Sequence, residues 1–130
     1  MDLGNGVNKE QRLQRTKSEA EEAVRILLEY LGEDPSRDGL SETPERVVRA
    51  WSEYCAGYSY DPATILTKTF ENSENYSEAV VLRDISFVSH CEHHLAPING
   101  FVDVAYVPSE RIVGISKIAR VVECFARRLQ

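Results

Sequence analysis

Histidine is missing from this 130-residue chain except at three positions, and all three fall between residues 90 and 94. Cysteine is nearly as scarce: Cys55, Cys91 and Cys124 make an odd number with no disulfide-framework spacing. That argues against a disulfide-stapled secreted scaffold and makes a reducing, cytoplasmic setting the expectation. Long apolar runs are absent as well. No stretch approaches the ~20 residues needed to span a bilayer. Met1–Arg15 is polar, with no apolar h-region, so no signal peptide is expected. Positive charge is short overall: 15 Lys and Arg face 21 Asp and Glu, a net charge of −6. An acidic chain is a poor general surface for nucleic acid, so neither nucleic acid nor membrane is expected as a partner. No internal repeat or low-complexity segment is visible, and the length suits one domain or part of one.

What the chain does have is concentrated. His90-Cys91-Glu92-His93-His94 packs a thiol among imidazoles, the donor types that zinc selects. Cys91 and His94 have C-x-x-H spacing, which lets one tight turn aim both at a single ion. His93 then stands beside the metal with its ring free for proton transfer, the task histidine performs near neutral pH. A catalytic zinc typically takes three protein ligands and a water, and this window offers two convincing ones. Cys55 and Cys124 fall on expected helices near apolar faces and read as small core residues.

The organisation is helical first. Gly4, Asn5, Gly6 and Asn8 mark residues 1–15 as a tail. Thr16 and Glu19 form a capping-box pattern, Ala20, Val24, Leu27, Leu28 and Leu31 follow the helical period, and Gly32 ends that helix. After a polar loop, Thr43-Pro44 opens a second helix with Val47, Val48, Trp51, Tyr54 and Cys55 on its apolar stripe. Residues 58–78 read as irregular. A strand is expected over 79–89. Its alternation changes phase between Leu82 and Ile85, which predicts a β-bulge. Asn99-Gly100 is a turn signal. Phe101–Val107 follows as a second strand, apolar on both parities except at Asp103, so both its faces are expected to be covered. The two strands are expected to pair antiparallel. A last helix runs from Ser116 to the end through Ile118, Val121, Val122, Phe125 and Leu129, with no stop signal. With strand edges unpaired, the fold is expected to be incomplete at its C-terminus.

The C-terminal segment reverses the overall charge: Arg111, Lys117, Arg120, Arg127 and Arg128 stand against the single acid Glu123. Ser116 is a plausible N-cap, and Lys117 and Arg120, three apart, share one helix face. A helix start with two cations suits a phosphate group, though basic residues there are often merely solvated. Arg127 and Arg128 read equally well as a solvated face. Arg46 lies in the first turn of its helix, where the dipole disfavours a cation.

Taken together, these residues resemble the GTP cyclohydrolase I family. The resemblance runs through Thr43-Pro44-Glu45-Arg46-Val47, Ser89-His90-Cys91-Glu92-His93-His94, Ala105-Tyr106-Val107-Pro108 and Gly114-Ile115-Ser116-Lys117-Ile118-Ala119-Arg120. It covers residue 16 to the end. It implies an α+β fold of the tunnelling type (T-fold), an antiparallel sheet packed with helices and preceded by an N-terminal helix pair. It implies conversion of GTP and water to 7,8-dihydroneopterin triphosphate and formate, the first step of tetrahydrofolate and pterin synthesis, by a homodecamer of two pentamers. Carried over, Cys91 and His94 look like Zn2+ ligands and His93 like the proton-transfer residue. Ser116, Lys117 and Arg120 look like part of the triphosphate site, and Arg46 joins them from another chain. The family's third zinc ligand, a second catalytic histidine and a guanine-reading glutamate have no match in this chain. Two expectations follow. Either the sequence represents part of an enzyme and is inactive alone, or it is a non-catalytic subunit that binds metal weakly and associates with complete subunits.

Overall fold

The computed structural model describes residues 15–72, 74 and 76–130. The expected tail over residues 1–15 lies outside the described residues except for Arg15. Two compact units divide the chain at Ala50 and Trp51. Among the described residues no helix is long and apolar enough to cross a membrane.

In the first unit, α1 spans Lys17–Tyr30. Its start is the capping box that the sequence predicts: the Glu19 amide donates to the Thr16 hydroxyl (3.2 Å) and the Thr16 amide to the Glu19 carboxylate (2.8 Å). Its end is equally legible. Gly32 takes a φ of +86°, its amide donates to the Glu29 carbonyl (2.9 Å), and the Glu33 amide donates to Leu28 (3.0 Å). These are the paired bonds of a Schellman motif. Ile26, Leu27, Tyr30 and Leu31 stay exposed. Helix α2 spans Thr43–Tyr54, with Pro44 buried in its first turn. Lys17 Nζ meets Glu45 Oε1 at 3.0 Å.

The second unit is α+β. A 3-10 turn at Ala56–Ser59 and a short helix α3 at Pro62–Ile65 precede β1, Thr69–Glu71. Strand β2 spans Val80–His90 and β3 Pro97–Tyr106, paired antiparallel from Val80 with Tyr106 to His90 with Pro97. β4, Arg111–Val113, pairs antiparallel with β1. Helix α4, Ile115–Ala126, packs on β2 and buries Ile118 and Cys124. The short β1–β4 pair was not anticipated in the sequence, since three-residue strands carry no measurable period.

The predicted bulge is present. Leu82 pairs with Val104 and Ile85 with Val102, so Arg83 and Asp84 together oppose Asp103. Asp84 has a φ of +56°, and its amide donates to Asp103 Oδ1 at 2.9 Å. The one polar residue of β3's apolar run thus satisfies the donor that the bulge leaves over.

Three expectations are corrected. Asn99-Gly100 is no turn; both lie within β3, opposite Val88 and Phe87. A Cβ at Gly100 would lie 2.9 Å from the Phe87 ring, which would have to shift to admit it. Nor is β3 covered on both faces: Phe101 is 73% exposed while Val102 and Val104 are half-buried. Finally, the last helix does not run to the end. It stops at Ala126, and Leu129 bridges to His90.

Candidate metal-binding turn and anion-binding helix start

The chain reverses between β2 and β3 over residues 91–96. The Cys91 amide donates to the Ala96 carbonyl and the Leu95 amide to Cys91, both at 2.9 Å. Leu95 completes the reversal with a φ of +56°. Inside this turn the His94 amide donates to the Cys91 sulfur at 3.3 Å. That bond, with those of Ala96 and more weakly His93 and Leu95, holds the Cys91 thiol below its ordinary pKa against a smaller opposing effect of burial. Backbone N–H groups converging on sulfur favour the thiolate, the form that binds metal. A soft thiolate and an imidazole three residues apart fit two positions of a zinc ion. Among the described residues no group of three or more His, Cys, Asp and Glu side chains is close enough to share a metal.

The other two histidines diverge from this pair. His90 turns to the aromatic side chains of α2, stacked on Tyr54 (centroids 4.7 Å apart, planes 24°) and tilted against Trp51 at 4.8 Å. A ring held this way is a packing group. His93 is exposed, its centroid 6.4 Å from His94 and its Nε2 3.9 Å from Glu92 Oε1, beyond hydrogen-bond length. Cys124 is buried, with its thiol 3.8 Å from the carbonyls of Gly57 and Tyr60. Half-buried Cys55 follows α2 and is pushed up in pKa by burial.

The helix start differs from expectation in one residue. Gly114, not Ser116, is the N-cap of α4: it is extended (φ −62°, ψ 134°), and the Lys117 amide donates to its carbonyl at 2.8 Å. Having no side chain, Gly114 makes no side-chain cap. Ser116 therefore lies in the first turn and is exposed. The start is fixed from β3, where the Tyr106 hydroxyl accepts from the Val113 amide (3.1 Å) and donates to its carbonyl (2.9 Å). Lys117 and Arg120 form no ion pair among the described residues, although Glu123 is close in sequence; that acid takes Arg127 at 2.9 Å.

Two local groups result, Cys91 with His94 and Ser116 with Lys117 and Arg120. The structure does not bring the groups together. Helix α4 lies along β2 so that Arg120 lines a groove with Ile85 and Ser86. At the helix's other end, the Ala126 carbonyl accepts from the Ser89 hydroxyl next to the turn. Lys117 and Ala126 are about 13 Å apart along the axis at the rise of an α-helix. Arg46 belongs to the first unit and is paired with Glu42, one helical turn before it, which offsets the unfavourable dipole there.

The fold is that of an α+β domain of tunnelling-fold type, with a Cys/His turn joining its two long strands. The sequence model of GTP cyclohydrolase I matches residues 20–130, and the chain belongs to that family. Over 112 residues it is 59% identical to the GTP cyclohydrolase 1 of Pelagibacter ubique, covering 86% of this chain and 55% of that protein. Over 114 residues it is 58% identical to the GTP cyclohydrolase 1 proteins of Brucella canis and Brucella abortus, covering 88% of this chain and 54% of each. The chain spans about half the length of the curated relatives it matches.

Proposed function

We propose that this chain supplies the metal-binding turn and part of the triphosphate site of a GTP cyclohydrolase I, which converts GTP and water to 7,8-dihydroneopterin triphosphate and formate. The observation that carries this reading is the Cys91 sulfur, cradled by backbone amides and three residues from His94. A zinc ion bound there supplies a Lewis acid that lowers the pKa of water. The remaining roles fall to side chains of this chain. Opening the guanine imidazole at C8 leaves N7 in need of a proton, and we assign its delivery to His93, exposed beside His94. Lys117 and Arg120, with the open first turn of α4, hold the triphosphate and contribute binding energy remote from the reacting carbon. Ser116 adds a hydroxyl to the same turn. Arg46 reaches the triphosphate of a neighbouring chain in a homodecamer, exchanging Glu42 for phosphate.

One observation favours a second reading, a non-catalytic subunit that binds metal weakly and joins complete subunits: the described residues offer no third donor. The test is formate release from GTP, with added zinc, by the 130-residue chain and by a version extended to the length of its relatives. We expect no turnover from the first and turnover from the second. No formate from either supports the non-catalytic subunit. Equal turnover by the two would show that this chain alone completes a metal site, and would sink the assignment of a two-donor turn.

A further inference from the structure

The Cys91–His94 turn is exposed, and its anchorage is unusual. Among the described residues, its one backbone bond outside the β2–β3 hairpin runs from the Glu92 amide to the Gln130 carbonyl (2.8 Å), flanked by the Gln130 amide on the His90 carbonyl (3.0 Å). Residues 127–130 therefore form a strap across the base of the turn. The strap conflicts with local sequence preference, because Phe125 and Leu129 continue the period of α4 and nothing in the sequence stops the helix there. A helical continuation would withdraw Gln130 from Glu92.

Arg128 opposes that continuation. Its guanidinium donates from Nε to the Gly57 carbonyl (3.1 Å) and from Nη2 to the Tyr60 carbonyl (3.0 Å). It also lies over the Phe125 ring at 4.9 Å. The Gly57 amide returns a bond to the Arg127 carbonyl at 3.0 Å. The approach is so close that a Cβ at Gly57 would lie 2.1 Å from the Cys124 carbonyl oxygen. On the other side, the buried Ser89 hydroxyl donates to the carbonyls of Ala126 (2.5 Å) and Arg128 (3.1 Å). The Leu129 amide donates to the Tyr58 hydroxyl at 3.1 Å. Guanidinium bonds to two carbonyls are charge-assisted and directional, and lysine cannot reproduce both.

We propose that Arg128 is a positioning residue for the Cys91–His94 turn: by pinning the 127–130 strap to Gly57 and Tyr60, it fixes the backbone that aims the two metal donors. The proposal rests on the reading of Cys91 and His94 as metal ligands. Its test has two arms in the complete protein, hydrogen exchange at the Glu92 amide and titration with Co2+ followed by the thiolate-to-cobalt absorption band. Arg128→Ala should speed Glu92 exchange and weaken cobalt binding about tenfold, the usual cost of losing an outer-shell support. Arg128→Lys should fall between this variant and the parent. Arg127→Ala, which removes only the ion pair to Glu123, should change neither. Should Arg128→Ala fail to fold, Arg128→Lys and Tyr58→Phe decide, each loosening the strap without removing its packing; parental behaviour of both in both arms overturns the proposal. So does a folded Arg128→Ala protein with unchanged exchange and cobalt affinity. Absence of a Cys91-dependent cobalt band in the parent would instead overturn the metal reading, and the exchange arm would still decide whether Arg128 fixes the turn.

Discussion

The turn at 91–96 and the helix start at 114–120 are built on opposite plans. In the turn, the chemistry is arranged before any ligand arrives: the His94 amide donates to the Cys91 sulfur, and the reversal is closed by its own hydrogen bonds. At the helix start, the scaffold is fixed by Tyr106, but Lys117 and Arg120 have no anionic side chain to hold them among the described residues. The difference suits the role proposed for each. A metal ion accepts donors only within tenths of an ångström, so its ligands need a rigid frame. A triphosphate is long and diffusely charged, and flexible cations on a fixed helix start can follow it.

The sharpest way to break this comparison is to remove the rigid partner. Cys91→Ala or His94→Ala in the complete protein should abolish stoichiometric zinc, measured by metal analysis after dialysis. His90→Ala should retain it, because that ring is committed to Trp51 and Tyr54. Equal zinc loss from alanine variants at all four positions 90, 91, 93 and 94 would contradict the assignment. The frame beneath the turn should also be sensitive. Gly57→Ala drives a Cβ into backbone atoms of Cys124 and Arg127, and overpacking that cannot relax costs about 3 kcal/mol. Gly32→Ala meets no atom within 4 Å and carries only its left-handed φ, a penalty of about 1 kcal/mol. Denaturant midpoints compare the two, and an equal loss would show that the Gly57 contact relaxes.

The helix start should respond differently. Neutralising Lys117 or Arg120 should weaken GTP binding by about 1.5–3 kcal/mol, the value of a charge-assisted contact, or roughly ten- to a hundredfold. Zinc content should stay unchanged in both variants. Isothermal titration with GTP against metal analysis separates the two effects, and unchanged affinity in both variants removes these residues from the site.

Legibility in the sequence tracked the range of the interactions. The α1 capping box, the Gly32 stop and the β2 bulge were readable because each depends on residues a few positions apart. The tight turn that carries Cys91 and His94 was readable for the same reason. Asn99-Gly100 misled because its glycine serves a contact across the hairpin with Phe87, and a cross-strand ring leaves no local signal. The end of α4 was misread because Arg128 is held by carbonyls about seventy residues earlier in the chain. The N-cap lies two residues before the expected Ser116, because Gly114 makes its cap with the backbone alone. Arg128 itself read equally well as part of an anion site or as a solvated cation. The signal available for it was indirect: a helix pattern lacking a stop, next to an arginine pair with only one acid in reach.

The smallest expected effect concerns the two half-buried cysteines, Cys55 and Cys91, which differ in environment. Backbone amides led by that of His94 lower the Cys91 pKa, whereas burial raises that of Cys55. Lowering a thiol pKa favours the thiolate, so at any pH between the two values Cys91 is the more ionised. Thiolate is the species that reacts with iodoacetamide. In metal-free protein at neutral pH, peptide mapping should therefore find Cys91 alkylated before Cys55. The pH profile for Cys91 should have its midpoint below the ordinary thiol value, and that for Cys55 above it. Zinc should slow the reaction at Cys91 and leave Cys55 untouched, since a coordinated thiolate is withdrawn from alkylation. A reversed order in the metal-free protein would mean that the amides around Cys91 do not stabilise its thiolate, and the turn would lose its claim to be the preorganised half of the comparison.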